Sequence, residues 1–309
     1  MEKSADRYPD VITEDLDYEY KSVLNPDDPV KLNELLKELH IMKNEERYLN
    51  LTWKIGRLQS DVEMLEEVFG RHITVPEPKT TYEEIQIRAY AHSIIVMKEI
   101  ICLLKEGFPD GALARARRLY EQMVIIKFLE RRKSDNDFND LIERYCDSQN
   151  IEAYSNQIKY CDYLKNLEKK NEAEIKFLEM KKKYSSYFNG RDYVRDYWWI
   201  GDGNYDSFNK LQRTYAEPFA QIMYSRACIS SHAGAMGDYA LLGRSNPDGN
   251  RIYTGPTYHG FSLPLVLAVM SFYNTTNVVF LNLKIELPEA HIDLYNLLEY
   301  YHKALKCSI

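Results

Sequence analysis

One stretch limits the fold more than any other. Phe261–Leu283 (FSLPLVLAVMSFYNTTNVVFLNL) carries no charged residue over a length able to cross a bilayer. Its middle reads Tyr273-Asn274-Thr275-Thr276-Asn277. Consecutive polar side chains at mid-depth are costly in lipid, whereas a protein core can supply partners for them. The stretch therefore reads as a helix buried in protein, and no membrane association is expected. A helix that is apolar on every side needs other helices around it.

The remaining sequence provides them. Asp28 and Pro29 suit an N-cap and first turn, and Lys31–Phe69 is helical in pattern. Within it Leu51, Ile55, Leu58, Val62, Leu65 and Phe69 recur at alternating spacings of four and three, the seam of a bundle. Gly70–Lys79 breaks the pattern, and Thr81 with Glu84 forms a capping box that opens a helix running to Glu106. Gly107 and Pro109 end it, and Asp110 caps the next, Gly111–Arg132, so these two helices should pack antiparallel across a short turn. His92, among Ile85, Ala89 and Val96, reads as a hydrogen-bonded core residue.

Helical segments follow at about 138–163 and 172–187. The run Lys165–Lys183 alternates acids with lysines, as a solvated helix face does. Further helices are expected at 218–234 and 262–285. The fold class is all-α: a multi-helix bundle with long antiparallel helices and a charged helical insert at about 138–187. Residues 1–27, rich in Asp, Glu and Tyr without a helical period, form an acidic arm, and 28–309 form one helical domain.

A net charge of −7 and a pI near 5.6 exclude a protein that binds nucleic acid with its whole surface, but allow a local basic patch. Five widely spaced cysteines without a C-x-x-C suggest neither a disulfide framework nor a zinc knuckle. With an acidic N-terminus lacking an apolar segment, this points to a cytoplasmic protein. Nucleotide-binding, zinc-protease and serine-hydrolase motifs are absent. Glu299 and His302 have the Glu-x-x-His spacing of di-iron bundles but no second copy. No metal or cofactor is expected. Gly243–Gly255 reads as a surface loop.

Three stretches carry candidate chemistry. In Gly111–Arg132, Arg117 and Glu121 fall in the middle of the apolar side formed by Leu113, Tyr120, Val124 and Phe128. Four residues apart, they can meet, either as a structural ion pair or as the floor of a site. In Asn189–Asn204, Tyr193, Tyr197, Trp198 and Trp199 alternate with Arg191 and Arg195, a composition that stacks planar ligands or plugs a core. In the helix that begins at Glu217-Pro218, Tyr224, Cys228 and His232 follow at spacings of four, just before Ala233, Gly234 and Gly237. The partial negative charge of a helix C-terminus favours imidazolium, which suits a histidine there to general acid and base work.

The segment RACISSH, with Arg226 and His232 separated by five residues, resembles the signature of the helical ribonuclease and toxin superfamily called HEPN. That resemblance implies metal-independent RNA cleavage in a groove between two protomers, His and Arg handling the 2′-hydroxyl proton and the scissile phosphate. A wider resemblance, over roughly residues 85–285, is to the bacterial helical family known as domain of unknown function 5677. Arg117 with Glu121 matches its Arg-x-x-x-Glu element, and Tyr224 with His232 its later helix. Cys228 stands where the family pattern has Ser.

Arg117, Glu121 and His232 are thus expected to converge in a small polar site. Tyr224, Trp198 and Trp199 would wall it, with Tyr197 and Arg195 as further substrate contacts. The expected function is a HEPN-like RNA endonuclease or toxin of a bacterial defence system, a homodimer acting on RNA, with His232 as acid and base and Arg226 or Arg117 holding phosphate. The alternative is a non-catalytic helical module that binds a small ligand or a protein partner.

Overall fold

A computed structural model describes residues 46–73, 79–188, 197–201, 207–231 and 260–307. They contain ten α-helices and no strand: α1 (Glu46–Ile73), α2 (Thr81–Lys105), α3 (Pro109–Arg132), α4 (Phe138–Tyr163), α5 (Leu167–Lys183), α6 (Ser185–Phe188), α7 (Phe208–Tyr215), α8 (Pro218–Ser231), α9 (Ser262–Asn282) and α10 (Glu289–Cys307). A 3₁₀ turn covers Trp198–Ile200. The protein is an all-α multi-helix bundle. The acidic arm and the first part of the helix expected at 31–69 lie outside the described residues, as does the loop at Gly243–Gly255. Two compact units are present, one made of Met1–Ile126 with Glu217–Ile309 and the other of Lys127–Ala216. The second is wider than the expected insert, because it takes in the last turn of α3 and the aromatic stretch.

In the first unit the α1 seam is buried from Ile55 through Leu58, Val62 and Leu65 to Phe69. Lys98 and Lys105 of α2 bond Glu66 and Gln59 of α1, an order that requires antiparallel packing. On the opposite side α2 pairs antiparallel with α3. Arg115 meets Glu99, Gln122 Nε2 donates to the Ala89 carbonyl at 2.6 Å, and His92 Nδ1 lies 3.4 Å from Gln122 Oε1. His92 is therefore the hydrogen-bonded residue its setting suggested.

Two helix starts differ from expectation, the first by one position and the second by two. The capping box is Thr80 with Glu83, each accepting from the other's backbone N–H, not Thr81 with Glu84. Both pairs fit the Thr-x-x-Glu pattern, and only the geometry of the preceding chain selects between them. At the other end Gly107 takes φ 80°, and the N–H groups of Phe108 and Gly107 bond the carbonyls of Leu103 and Leu104 at 2.8 and 3.0 Å. This closing motif leaves Pro109 as the first residue of α3, where a fixed φ and a missing N–H cost nothing. Asp110 consequently lies inside the first turn instead of capping it.

The charge-free segment forms α9, buried against α2, α8 and α10. Its polar residues bond to the preceding turn: Ser271 to Leu267, Asn274 to Met270, Thr275 to Ser271 and Thr276 to Phe272, at 2.6–2.9 Å. Thr276 also shares a 3.2 Å hydrogen bond with the buried Tyr90 hydroxyl of α2, whose ring packs against Phe69, Phe272 and Phe280. A buried hydroxyl that satisfies its own helix backbone costs little, which is why four polar residues fit here. α10 closes the unit, with Arg57 paired to Asp293 at 3.1 Å and His291 stacked on Tyr273.

The second unit is built on an antiparallel hairpin of α4 and α5. Its corner is tight. Lys165 takes φ 56°, the Asn166 N–H bonds the Cys161 carbonyl at 2.9 Å, and the Asn166 side chain accepts from the Lys169 N–H at 3.2 Å. That cap starts α5 at Leu167, five residues before the expected 172. Exposed Ile175 and Leu178 agree with a solvated run, and Ala173 is the buried position of α5. Lys183 binds Glu143 and Asp147 at 2.6 and 2.8 Å, and the Tyr184 hydroxyl also donates to Asp147. Among the described residues Cys102, Cys146, Cys161 and Cys228 are unbridged.

Candidate functional site

The first unit contains a polar cluster on the facing surfaces of α3 and α8. Arg117 and Glu121 are one helical turn apart on α3, which brings their side chains together without any tertiary contact. Arg117 Nε donates to Glu121 Oε1 at 2.9 Å. The pair is half-buried, at 26% and 23% side-chain exposure. It is therefore neither a solvated surface pair nor the fully enclosed pair its apolar neighbours suggested. The ridge of Leu113, Tyr120, Val124 and Phe128 is buried, while Arg117 and Glu121 lie at its margin.

Across from them Tyr224 of α8 donates its hydroxyl to the same Glu121 Oε1 at 2.8 Å. Its ring stacks on that of Tyr120 with centroids 4.8 Å apart, and the Arg117 guanidinium carbon is 5.7 Å from the Tyr224 centroid. Cys228, one turn after Tyr224, interacts with the Tyr224 hydroxyl. Arg117, Glu121 and Tyr224 are thus brought together, while the expected third member, His232, lies outside the described residues.

Electrostatics give these groups distinct states. Burial raises the Tyr224 pKa, and its bonds to Glu121 and Cys228 raise it further, so this phenol is a proton-bearing donor across the neutral range. Tyr120 is likewise raised, by burial and then by Cys228. For Arg117 burial opposes the charge, but the Glu121 hydrogen bond and the neighbouring charges outweigh it and hold the cation more firmly. One carboxylate oxygen organises the site by accepting from a guanidinium and a phenol. Among the described residues the terminal Nη groups of Arg117 have no hydrogen-bond partner. A half-exposed guanidinium fixed through Nε and open at its Nη edge can grip an oxyanion.

Arg226 is exposed on α8. Two residues from both Tyr224 and Cys228, it stands about 200° around the helix from them, and α8 continues through Ser231 without the unwinding that would bring it to their face. His232 and Arg195 lie outside the described residues.

Tyr197, Trp198 and Trp199 belong to the second unit, where their rings meet partners from that unit. Trp199 packs edge-on against Tyr145 and Phe128 at 4.8 and 5.7 Å, Trp198 against Tyr184 at 4.9 Å, and Tyr197 near Phe208 at 6.1 Å. Both tryptophans are buried. Each lines a core, the other of the two uses that such a stretch suggests.

One site member was not singled out as such from sequence. Tyr120 looked like one more apolar residue on the α3 ridge, and the signal for it was positional, since it adjoins Glu121.

No curated protein and no solved structure matches the chain. The model of a family of unknown function, DUF5677, matches residues 83–250, a span that includes the Arg117–Glu121 pair, the aromatic stretch and Tyr224. The match covers more than half of the sequence, and the chain belongs to this family.

Proposed function

We propose that the chain is a HEPN-like, metal-independent RNA endonuclease acting as a cytoplasmic toxin or defence effector. The observation that carries this reading is the Arg117 guanidinium, anchored through Nε to Glu121 and with both Nη groups unbonded among the described residues. In the proposed reaction those groups hold the non-bridging oxygens of a scissile phosphate. His232 takes the 2′-hydroxyl proton as the 2′-oxygen attacks phosphorus, and a proton is returned to the departing 5′-oxygen. Tyr224, kept protonated, donates to Glu121 and keeps that carboxylate aligned with Arg117. Arg226 faces away from this cluster, which in the proposal places it against a second protomer of a homodimer.

A second reading, a non-catalytic module for a small ligand or a protein partner, is favoured by one detail. The Arg117 Nε and the Tyr224 hydroxyl converge on a single oxygen of Glu121, as in a structural pair.

Incubation of the full chain with total RNA in EDTA separates the two readings. The ruptured products should be lost in His232→Ala, strongly reduced in Arg117→Ala and retained in Lys182→Ala, whose side chain is exposed. RNA left intact at high protein concentration overturns the nuclease and leaves the binding module.

A further inference from the structure

The second unit buries a cation without a counter-charge. Arg144 of α4 is 5% exposed, yet it makes no ion pair among the described residues. Of the acids within one turn of it on α4, Glu143 and Asp147 are bonded to Lys183, Asp147 also accepts from Tyr184, and Asp140 is exposed. Arg144 Nε donates to the Trp199 carbonyl at 2.9 Å and Nη1 to the Tyr187 hydroxyl at 3.2 Å, and the Tyr187 ring lies 4.9 Å from the guanidinium carbon. A guanidinium has five N–H donors. Among the described residues two are used and three remain, one on Nη1 and two on Nη2, the nitrogens that bound the Nη1–Nη2 edge.

Gly201 stands beside that edge with φ 77°, and a Cβ there would lie 3.4 Å from Nη2 and 3.0 Å from Tyr187 Cε1. Gly201 is itself exposed, so its missing side chain leaves a path from solvent to Nη2. A buried charge held only by a carbonyl and a phenol carries an uncompensated desolvation cost. An oxyanion on the open edge removes it, and a two-donor fork matches the paired oxygens of a phosphate or a carboxylate.

We infer that Arg144, Tyr187 and Gly201 form a binding site for the oxyanion group of a small ligand, a phosphate or a carboxylate, received end-on by the Nη1–Nη2 edge. The site is independent of the proposed nuclease chemistry, since all of its residues belong to the second unit.

The test uses the full chain and its tryptophan fluorescence, because Trp198 and Trp199 adjoin Tyr187 and Arg144. Inorganic phosphate and acetate are titrated separately at constant ionic strength, with sodium chloride as the reference. A saturable change with phosphate, acetate or both is expected, and the stronger of the two identifies the oxyanion. Arg144→Lys keeps the charge but loses the fork, and should weaken binding by about tenfold or more. Gly201→Asp sets a carboxylate beside Nη2, at the cost of strain at a positive φ that Asp adopts more often than most residues, and should abolish the response. Helical circular dichroism checks that each variant folds. A wild-type chain with no saturable response beyond chloride overturns the inference, as does a folded Arg144→Lys or Gly201→Asp that responds like the wild type.

Discussion

Arg117 in the first unit and Arg144 in the second both lie against tyrosine rings, at 5.7 and 4.9 Å, but they are held in different ways. Arg117 is neutralised by a carboxylate on its own helix and keeps about a quarter of its side chain in solvent. Arg144 is enclosed and depends on a carbonyl 55 residues away. A pair made within one helix turn forms with the helix and contributes little to tertiary order. A guanidinium bonded to a distant backbone oxygen requires the fold to exist first, and ties α4 to the 3₁₀ turn. The first arrangement leaves a cation that the fold does not depend on, while the second makes the same cation part of the architecture as well as the donor of the inferred oxyanion site.

The largest effect that could break this contrast is on stability. Arg144→Ala strands the Trp199 carbonyl and opens a cavity, and should destabilise the chain by about 3 kcal/mol. Arg117→Ala removes a half-exposed pair and should cost less than about 1 kcal/mol. Urea unfolding of both variants measures the difference, and equal losses would dissolve the distinction between the two arginines.

An intermediate effect separates the two units by pH. Burial lowers the pKa of His291, whose Nε2 is buried without a partner. The stability that follows is present above the ordinary value of 6.5 and is lost as pH falls through it, because the unfolded chain then binds the proton more readily. In the second unit burial opposes ionisation of Asp147, but its bonds to Lys183 and Tyr184 outweigh this and lower its pKa. Its contribution is therefore present above 3.8 and is lost only below that. Acidification from neutral to about pH 5 should accordingly raise hydrogen exchange in α9 and α10 and leave α4 and α5 protected. Exchange that rises first in the hairpin would reverse the assignment.

The smallest effect is one the units should share. Lys165 and Lys284 both adopt positive φ, 56° and 55°, at helix ends. Replacing either with Gly relieves steric strain but loosens the unfolded chain, for a net gain of about 0.5–1 kcal/mol. Thermal unfolding of the two single variants tests this, and a gain in only one would show that the corners differ in strain.

Much of the first unit was legible in the sequence because helical period and burial coincide there. The Ile55 to Phe69 seam and the α2–α3 hairpin followed from spacing, and the burial of α9 from its lack of charge, although its polar centre bonds mainly to its own helix and not to the core around it. The meeting of Arg117 with Glu121 also followed from spacing, since four residues along a helix fix their separation. The capping box slipped by a residue because Thr80-Thr81-Tyr82-Glu83-Glu84 contains the motif twice, and the backbone chooses between copies. Arg144 and Tyr187 gave no such signal. They are separated by 43 residues, and Arg144 sits in a polar stretch with no pattern to show which charge turns inward. Periodicity reports faces of one element, while a contact between distant segments depends on how the elements are arranged.

The corner between α4 and α5 has a further consequence. Asn166 ends one helix with its backbone and begins the next with its side chain, so the junction contains no spare residue. An added residue there would separate the two roles and swing one arm of the hairpin out of register with the other. Length can change in this region only by matched turns added to both arms, which makes the corner a fixed ruler for the insert and a poor place to attach a tag or a fused domain.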